Sequence, residues 1–338
     1  MHLMPHAMEE RAASAAPVDL QTLCARQQPV VLRGLVADWP AVAWARESNL
    51  AFARQMSAFD AGTPVDTLLL PEEAEGRVGY NEAFDDFNYD HHRVSVTRVL
   101  KRLLVMARDG DGRGLAMQSA AMKRCMPGFE QTHAMALLPG SVHPRLWLGN
   151  RVTTPAHFDE QHNIACVVCG RRRFTLFAPE QVGNLYIGPL DFAPTGAAIS
   201  LARLDRPDDP RFPRLRQALD SALQAELEPG DAIYIPPLWW HHVASLTAFN
   251  GLVNYWWHAG REDAGVPDTA MGGLLHAILT FRSLSTPERR AWRALLDHYV
   301  FDESADPVSH IPEARRGILG DLTPEQVARV RETIKRYL

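Results

Sequence analysis

The sequence predicts a mainly β protein, an antiparallel sandwich or barrel flanked by helices. Three observations carry this. Between about residues 144 and 258, short apolar or alternating runs follow one another at the spacing of strands joined by turns. Turn residues punctuate that block, with Pro229-Gly230-Asp231 marking a tight turn and Pro236-Pro237 ending the strand that follows it. Beyond about 262 the pattern becomes helical to the end of the chain.

Taken in order, residues 1–17 read as a flexible tail without apolar periodicity. An amphipathic "LQTLCARQQ" and a short apolar strand, "PVVLRGLVADWPA", open an α/β extension over 18–143 that packs on the core. Its later part holds a strand-like "PVDTLLL", an acidic-aromatic loop "YNEAFDDFNYDHH" and a helix-like "VTRVLKRLLVMARDG". A polar loop rich in aromatics suits a surface that meets a ligand or partner, or a solvated excursion. The β core, 144–260, contains "RLWLGN", "AHFDEQHNIACVVCG", "RRFTLFAP", "AISLARL", "QAELEPGDAIYIPP", "WWHHVASL" and "GLVNYWW". The helical region is 261–338, where two helices begin Thr-Pro-Glu, an N-cap followed by proline and an acid in the first turn. "MGGLLHAILTFRSL" is apolar on most sides, so this region is expected to build a homodimer.

The 338 residues are 46% hydrophobic and 22% charged with a net charge of −5, which describes an ordinary globular chain and excludes the broad basic field of a nucleic-acid binder. No signal-like segment or membrane-length apolar run occurs, so a cytoplasmic protein with no membrane contact is expected. Four cysteines make no disulfide framework. Cys166 and Cys169 spell C-x-x-C, but inside a strand-like run, where positions three apart should face opposite ways and redox pairing is disfavoured.

The chemistry concentrates in "TTPAHFDEQHN". On a continuous strand, His157 and Asp159 project from one face, and an imidazole beside a carboxylate supplies two ligands to one metal ion. A third ligand from a distant strand would complete a facial triad with open positions, as in a non-haem Fe(II) oxygenase. "IYIPPLWWHHVASL" offers His241 and His242; neighbours on a strand face opposite ways, so one of them can reach the metal, and periodicity does not choose between them. The same alternation turns Glu160 and His162 away and sends Arg172 inward while Arg171 and Arg173 face out. Of Trp239, Trp240, Trp256 and Trp257, one or two are expected near the site and the rest in the core. His91 and His92 lack partner spacing for a metal.

"TPAHFDEQHN", "GRRRFTLFAPEQ", "PGDAIYIPPLWWHHVASL" and "VNYWW", in this order, resemble the cupin-like JmjC-type Fe(II)/2-oxoglutarate oxygenases, in particular the branch containing the factor-inhibiting asparaginyl hydroxylase. The opening "PVVLRGLVADWP" is similar to this family as well. The resemblance implies a double-stranded β-helix (cupin or jelly-roll) core and Fe(II) held by His157, Asp159 and His241, the last because the family ligand directly follows the tryptophan. It further implies 2-oxoglutarate as cosubstrate with O₂ as oxidant, contacted by Thr154, Asn163, Arg172 and Asn254, and a substrate side that includes Gln118 and Trp256. Arg172 stands where this branch usually has lysine, and Ala116 where a tyrosine hydroxyl is expected. The implied activity is hydroxylation of a protein side chain or small molecule. The alternatives are N-demethylation and a non-catalytic, metal-binding cupin that no longer uses 2-oxoglutarate.

Overall fold

The computed structural model describes residues 5–14, 18–258 and 270–336. Among the described residues, fourteen strands form in the first part of the chain: β1 (His6–Ala7), β2 (Glu10–Ala12), β3 (Val30–Arg33), β4 (Val65–Leu70), β5 (Asp90–Val94), β6 (Gly114–Ala121), β7 (Arg145–Gly149), β8 (Thr153–His157), β9 (His162–Cys169), β10 (Arg172–Phe177), β11 (Leu223–Leu227), β12 (Ala232–Ile235), β13 (Trp240–Ser245) and β14 (Asn250–Trp257). They make a five-stranded sheet, β1-β11-β10-β13-β8, and a nine-stranded sheet, β2-β3-β12-β9-β14-β7-β6-β4-β5. The fold is mainly β and consistent with a cupin or jelly roll.

Strand alternation assigns the layers. Phe174, Leu176, Ala225 and Leu227 of the smaller sheet pack with Ala165, Val167, Ile233 and Ile235 of the larger one, forming the interior of the sandwich. The other face of the larger sheet is covered by helices Pro40–Glu47, Asn49–Ser57 and Val96–Asp109, whose Val42, Phe52, Leu100 and Leu103 meet Ile164, Cys166 and Val253. All eight residues of β9 are therefore buried, because it has apolar layers on both sides. Outside the smaller sheet, Phe177 and Trp240 pack under the 185–222 excursion against Leu185, Leu215 and Ala218.

Five expectations change. Residues His6–Ala7 and Glu10–Ala12, read as tail, pair in parallel with β11 and β3; their alternation is too short to see in sequence. "AISLARL" forms only a single bridge, Ile187 to Ser200, instead of a strand. The end of the acidic-aromatic loop is β5, pairing with β4, where His91 lies 3.2 Å from Asp66. Cys166 and Cys169 join one apolar cluster rather than opposite faces, because the β9–β14 register shifts between Gly251 and Leu252. Both are buried free thiols, and burial raises their pKa values, Cys169 to about 12, which removes the thiolate a redox pair needs. Finally, the first Thr-Pro-Glu helix is capped one residue earlier than expected, by Ser285 in a capping box with Glu288, whereas Thr323 caps the second as expected.

The chain divides into two compact units, Met1–Ala259 and Gly260–Leu338. The second holds helices Ala270–Phe281, Thr286–Leu296 and Pro324–Lys335 and exposes Leu275, Leu279, Trp292 and Leu295. Among the described residues, no helix is long and apolar enough to cross a membrane.

One buried histidine belongs to the core rather than to chemistry. His133 is stacked on Phe129, its Nε2 accepts the Ala41 backbone N–H at 3.0 Å and its Nδ1 lies 3.0 Å from the Phe129 carbonyl. This pairing requires a neutral ring protonated on Nδ1. Burial lowers its pKa, so the unfolded chain binds a proton more readily than the folded one. The stabilisation is present above the unfolded value of about 6.5 and is lost as pH falls toward the folded one, by up to about 1.4 kcal/mol per pH unit. Urea unfolding from pH 7 to 5 should show this slope, and His133→Gln, which keeps an acceptor without a titrating ring, should flatten it; an equal slope in both would remove His133 as its source.

Candidate metal centre

His157 ends β8 and His241 sits in β13, and the ladder sets them directly opposite each other. Their rings lie 4.2 Å apart between centroids. Asp159 departs from expectation: it is not on a strand but in the turn between β8 and β9, so strand alternation is not what aims it. Its carbonyl accepts the N–H of Leu238 at 2.9 Å, which ties this turn to the one entering β13. Leu238 is held at a φ of 64°, a left-handed conformation rarely used by leucine.

A second irregularity makes Thr154 part of the site. Between the His241–His157 and Val243–Thr154 pairs the ladder loses register, with three steps along β8 against two along β13. Pro155, which lacks an N–H, lies within this bulge, where a missing ladder donor is tolerated. The extra residue reverses the alternation, so Thr154 and His157, three positions apart, line the same cavity.

Ligand atoms of His157, Asp159 and His241 all lie within 4.8 Å of one another, and Asp159 Oδ2 is 3.5 Å from His241 Nε2. His157 Nδ1 faces the Pro155 carbonyl at 2.9 Å and His241 Nδ1 the Trp239 carbonyl at 3.0 Å. Both rings thus carry a proton on Nδ1 and present a bare Nε2. Burial, reinforced by neighbouring His241, brings the His157 pKa down to about 4, which keeps its imidazole neutral and able to ligate. Two neutral imidazoles and one carboxylate match the donor set of a non-haem Fe(II) centre.

Asp159 is oriented by a relay whose polarity is fixed at its far end. The Trp147 indole N–H, a donor only, meets Asn254 Oδ1 at 2.7 Å. The Asn254 amide nitrogen therefore faces Asn163 Oδ1 at 3.2 Å, and the Asn163 nitrogen faces Asp159 Oδ2, also at 3.2 Å. Trp256 Nε1 donates to the same oxygen at 3.0 Å. Trp256, expected on the substrate side, thus lines the cavity and also holds the carboxylate. Trp147→Phe should weaken metal binding by about 10–100-fold, the usual loss when a group that orients a ligand is removed; an unchanged affinity in metal titration would sever the relay from the metal.

The cavity has a volume of about 120 Å³. Thr154, Asn163, Arg172, Asn254, Gln118 and Trp256, all expected at the site, line it together with the three ligands. Arg172 is 9% exposed, its Nε has no hydrogen-bond partner among the described residues, and burial lowers its pKa to about 10, leaving it charged at neutral pH. Phe174, Ile235, Val243 and Leu252 supply apolar wall.

Other residues singled out in the sequence do not line the cavity, Glu160 and His162 among them as expected. Ala116 packs with Leu68, Leu70, Val78 and Val152 and is not on the cavity wall, so the absent tyrosine leaves no gap there. His162 is buried with its Nδ1 2.8 Å from the Tyr234 hydroxyl, and Glu160 does not line the cavity. His242 faces the outer side of its sheet. Trp239, Trp240 and Trp257 are core. Trp147 was not anticipated; its place in "RLWLGN" reads as an ordinary strand aromatic. Nor were Thr195 and Ala197, which line the cavity from the 185–222 excursion, a segment held by contacts of Phe192 and Pro194 with the acidic-aromatic loop. In that loop the Tyr80 hydroxyl donates to the Phe192 carbonyl at 2.6 Å, Tyr89 donates to the Pro194 carbonyl, and Phe87 stacks on Phe192.

The family model described as a cupin-like domain matches residues 15–263. The chain is 38% identical over 120 residues to Jumonji C domain-containing protein 5 of Drosophila melanogaster, covering 35% of this chain and 28% of that protein. It is 28% identical over 153 residues to lysine-specific demethylase JMJ31 of Arabidopsis thaliana, covering 45% and 27%. With HSPB1-associated protein 1 of Bos taurus the identity is 27% over 283 residues, covering 79% and 55%. The matches thus span at most about half of these relatives' own length, and they do not single out the asparaginyl-hydroxylase branch.

Proposed function

The chain belongs to the cupin-like domain family, and from that premise we propose that it is an Fe(II)/2-oxoglutarate-dependent oxygenase, a hydroxylase of a protein side chain or small molecule. The observation that carries this is one cavity holding both the His157–Asp159–His241 donor set and the buried guanidinium of Arg172, whose Nε has no partner among the described residues. Bound iron, with 2-oxoglutarate and O₂, supplies the oxidising power for attack on a C–H bond.

The protein's own contribution follows from its residues. His157, Asp159 and His241 would hold the metal through two imidazole nitrogens and one carboxylate oxygen. Arg172 receives the far carboxylate of 2-oxoglutarate, with the Thr154 hydroxyl on the same wall, and Asn163 and Asn254 keep Asp159 turned toward the metal. The apolar wall limits water, which strengthens the charge contacts inside. Gln118 and the face of Trp256 orient the substrate.

An N-demethylase shares these parts, and the name of the Arabidopsis relative favours that second reading. A non-catalytic cupin would keep the metal and lose the cosubstrate. With Fe(II) and 2-oxoglutarate, succinate should form, faster with substrate present; oxygen retained in the product marks hydroxylation and formaldehyde release marks demethylation. No succinate, together with no thermal shift from 2-oxoglutarate or N-oxalylglycine, would refute the oxygenase. The exposed apolar side chains of Ala270–Phe281 and Thr286–Leu296 support a homodimer, so sedimentation equilibrium should give twice the chain mass, and a monomer would exclude it.

A further inference from the structure

Alternation gives the smaller sheet a second polar face, turned away from the metal. Thr153, Thr175, Gln224 and His242 stand on it, one step along their strands from residues that face inward, and with Arg77 and Arg203 they line a separate cavity of about 490 Å³. The register places His242 opposite Thr175, and Gln224 donates to the Thr175 hydroxyl at 3.0 Å. This volume falls in the range of small-molecule sites.

Charges around the cavity are unequally matched. Arg203 is paired with Glu75 and Asp205, and Arg173, at the edge, with Glu226. Among the described residues, no carboxylate lies within ion-pair distance of Arg77, whose Nη2 donates to the Ser200 carbonyl at 2.9 Å and the Ala202 carbonyl at 3.2 Å. Among the described residues, the hydrogen bonds of the Arg77 guanidinium are these two from Nη2. Facing the same space, the buried Nδ1 of His242 has no partner among the described residues, a state unfavourable enough that native proteins seldom keep it. The Arg77 guanidinium, which has no carboxylate partner, and two hydroxyls offer donors, and His242 Nδ1 adds one when it carries the ring proton; an acceptor with negative charge can engage them together.

We propose that this outer cavity is a second binding site, distinct from the metal centre, that takes a small molecule through a carboxylate or phosphate group held by Arg77 and His242. The proposal is independent of the reaction at the metal.

Isothermal titration of the full-length protein with inorganic phosphate and, separately, with malonate tests the site. One saturable site is expected for at least one probe; phosphate alone points to a phosphorylated ligand, malonate alone to a carboxylate. Arg77→Gln should weaken that binding by roughly 10–100-fold, as expected for loss of a charged hydrogen-bond donor. Ala244→Trp, which fills the cavity without removing a charge, should abolish it, and Arg172→Gln, on the inner side, should leave it unchanged. The ¹⁵N resonances of the His242 ring in the unmutated protein should move with saturation, a readout that survives if a variant fails to fold. Absence of saturable binding by both probes, unmoved His242 resonances, or loss of binding in Arg172→Gln but not in Ala244→Trp would overturn the proposal.

Discussion

His241→Ala is expected to abolish Fe(II) binding, while His242→Ala leaves most of it. The two residues are adjacent, but their surroundings differ on every count that matters to a ligand. His241 is 4% exposed, stands in register with His157, and has its Nδ1 committed to the Trp239 carbonyl so that Nε2 faces Asp159. His242 turns to the outer cavity, one strand thickness away from the three ligand atoms. Removing one ligand of three should exceed the roughly 10–100-fold loss produced by a group that merely orients a ligand. Anaerobic titration with Fe(II), or with Co(II) as a spectroscopic substitute, reads the difference. Retained affinity in His241→Ala with loss in His242→Ala would mean that the strand is set one residue off.

That choice shows where the sequence was legible. Periodicity in "WWHHVASL" left two candidates, and only the resemblance to JmjC-type oxygenases singled out His241. Positions fixed by strand alternation alone, such as Arg172 inward and Arg173 outward, came out as read. Asp159 comes beside His157 and His241 for a reason other than strand alternation: it stands in a turn pinned by Leu238, not on a strand. Thr154 joins His157 only because of a bulge, and a bulge is a property of two paired strands that neither strand's pattern reveals. The same holds for Trp147 and Arg77. Their partners, Asn254 and the Ser200–Ala202 carbonyls, lie more than 100 residues along the chain, so no local window contains the relationship.

Arg172→Gln carries the second large expected effect, and its sign differs between the ligand-free and ligand-bound protein. Among the described residues no carboxylate pairs with this buried guanidinium, and its Nε finds no acceptor, so without a ligand it is an uncompensated charge. Such a charge is destabilising, and its replacement by a neutral residue of similar length should raise the unfolding temperature of the ligand-free protein, by an amount worth about 1 kcal/mol or more. With 2-oxoglutarate or N-oxalylglycine present the order reverses. The wild-type protein gains a charge-assisted contact and shifts upward, whereas Arg172→Gln has nothing to offer the far carboxylate and shows little shift. Arg172→Lys separates charge from shape: it restores the positive charge but not the planar fork, so partial recovery of the shift would show that charge dominates, and no recovery that the two-pronged geometry does. A variant less stable than wild type without ligand, yet with an undiminished ligand shift, would mean that Arg172 is a structural residue and that the cosubstrate is held elsewhere.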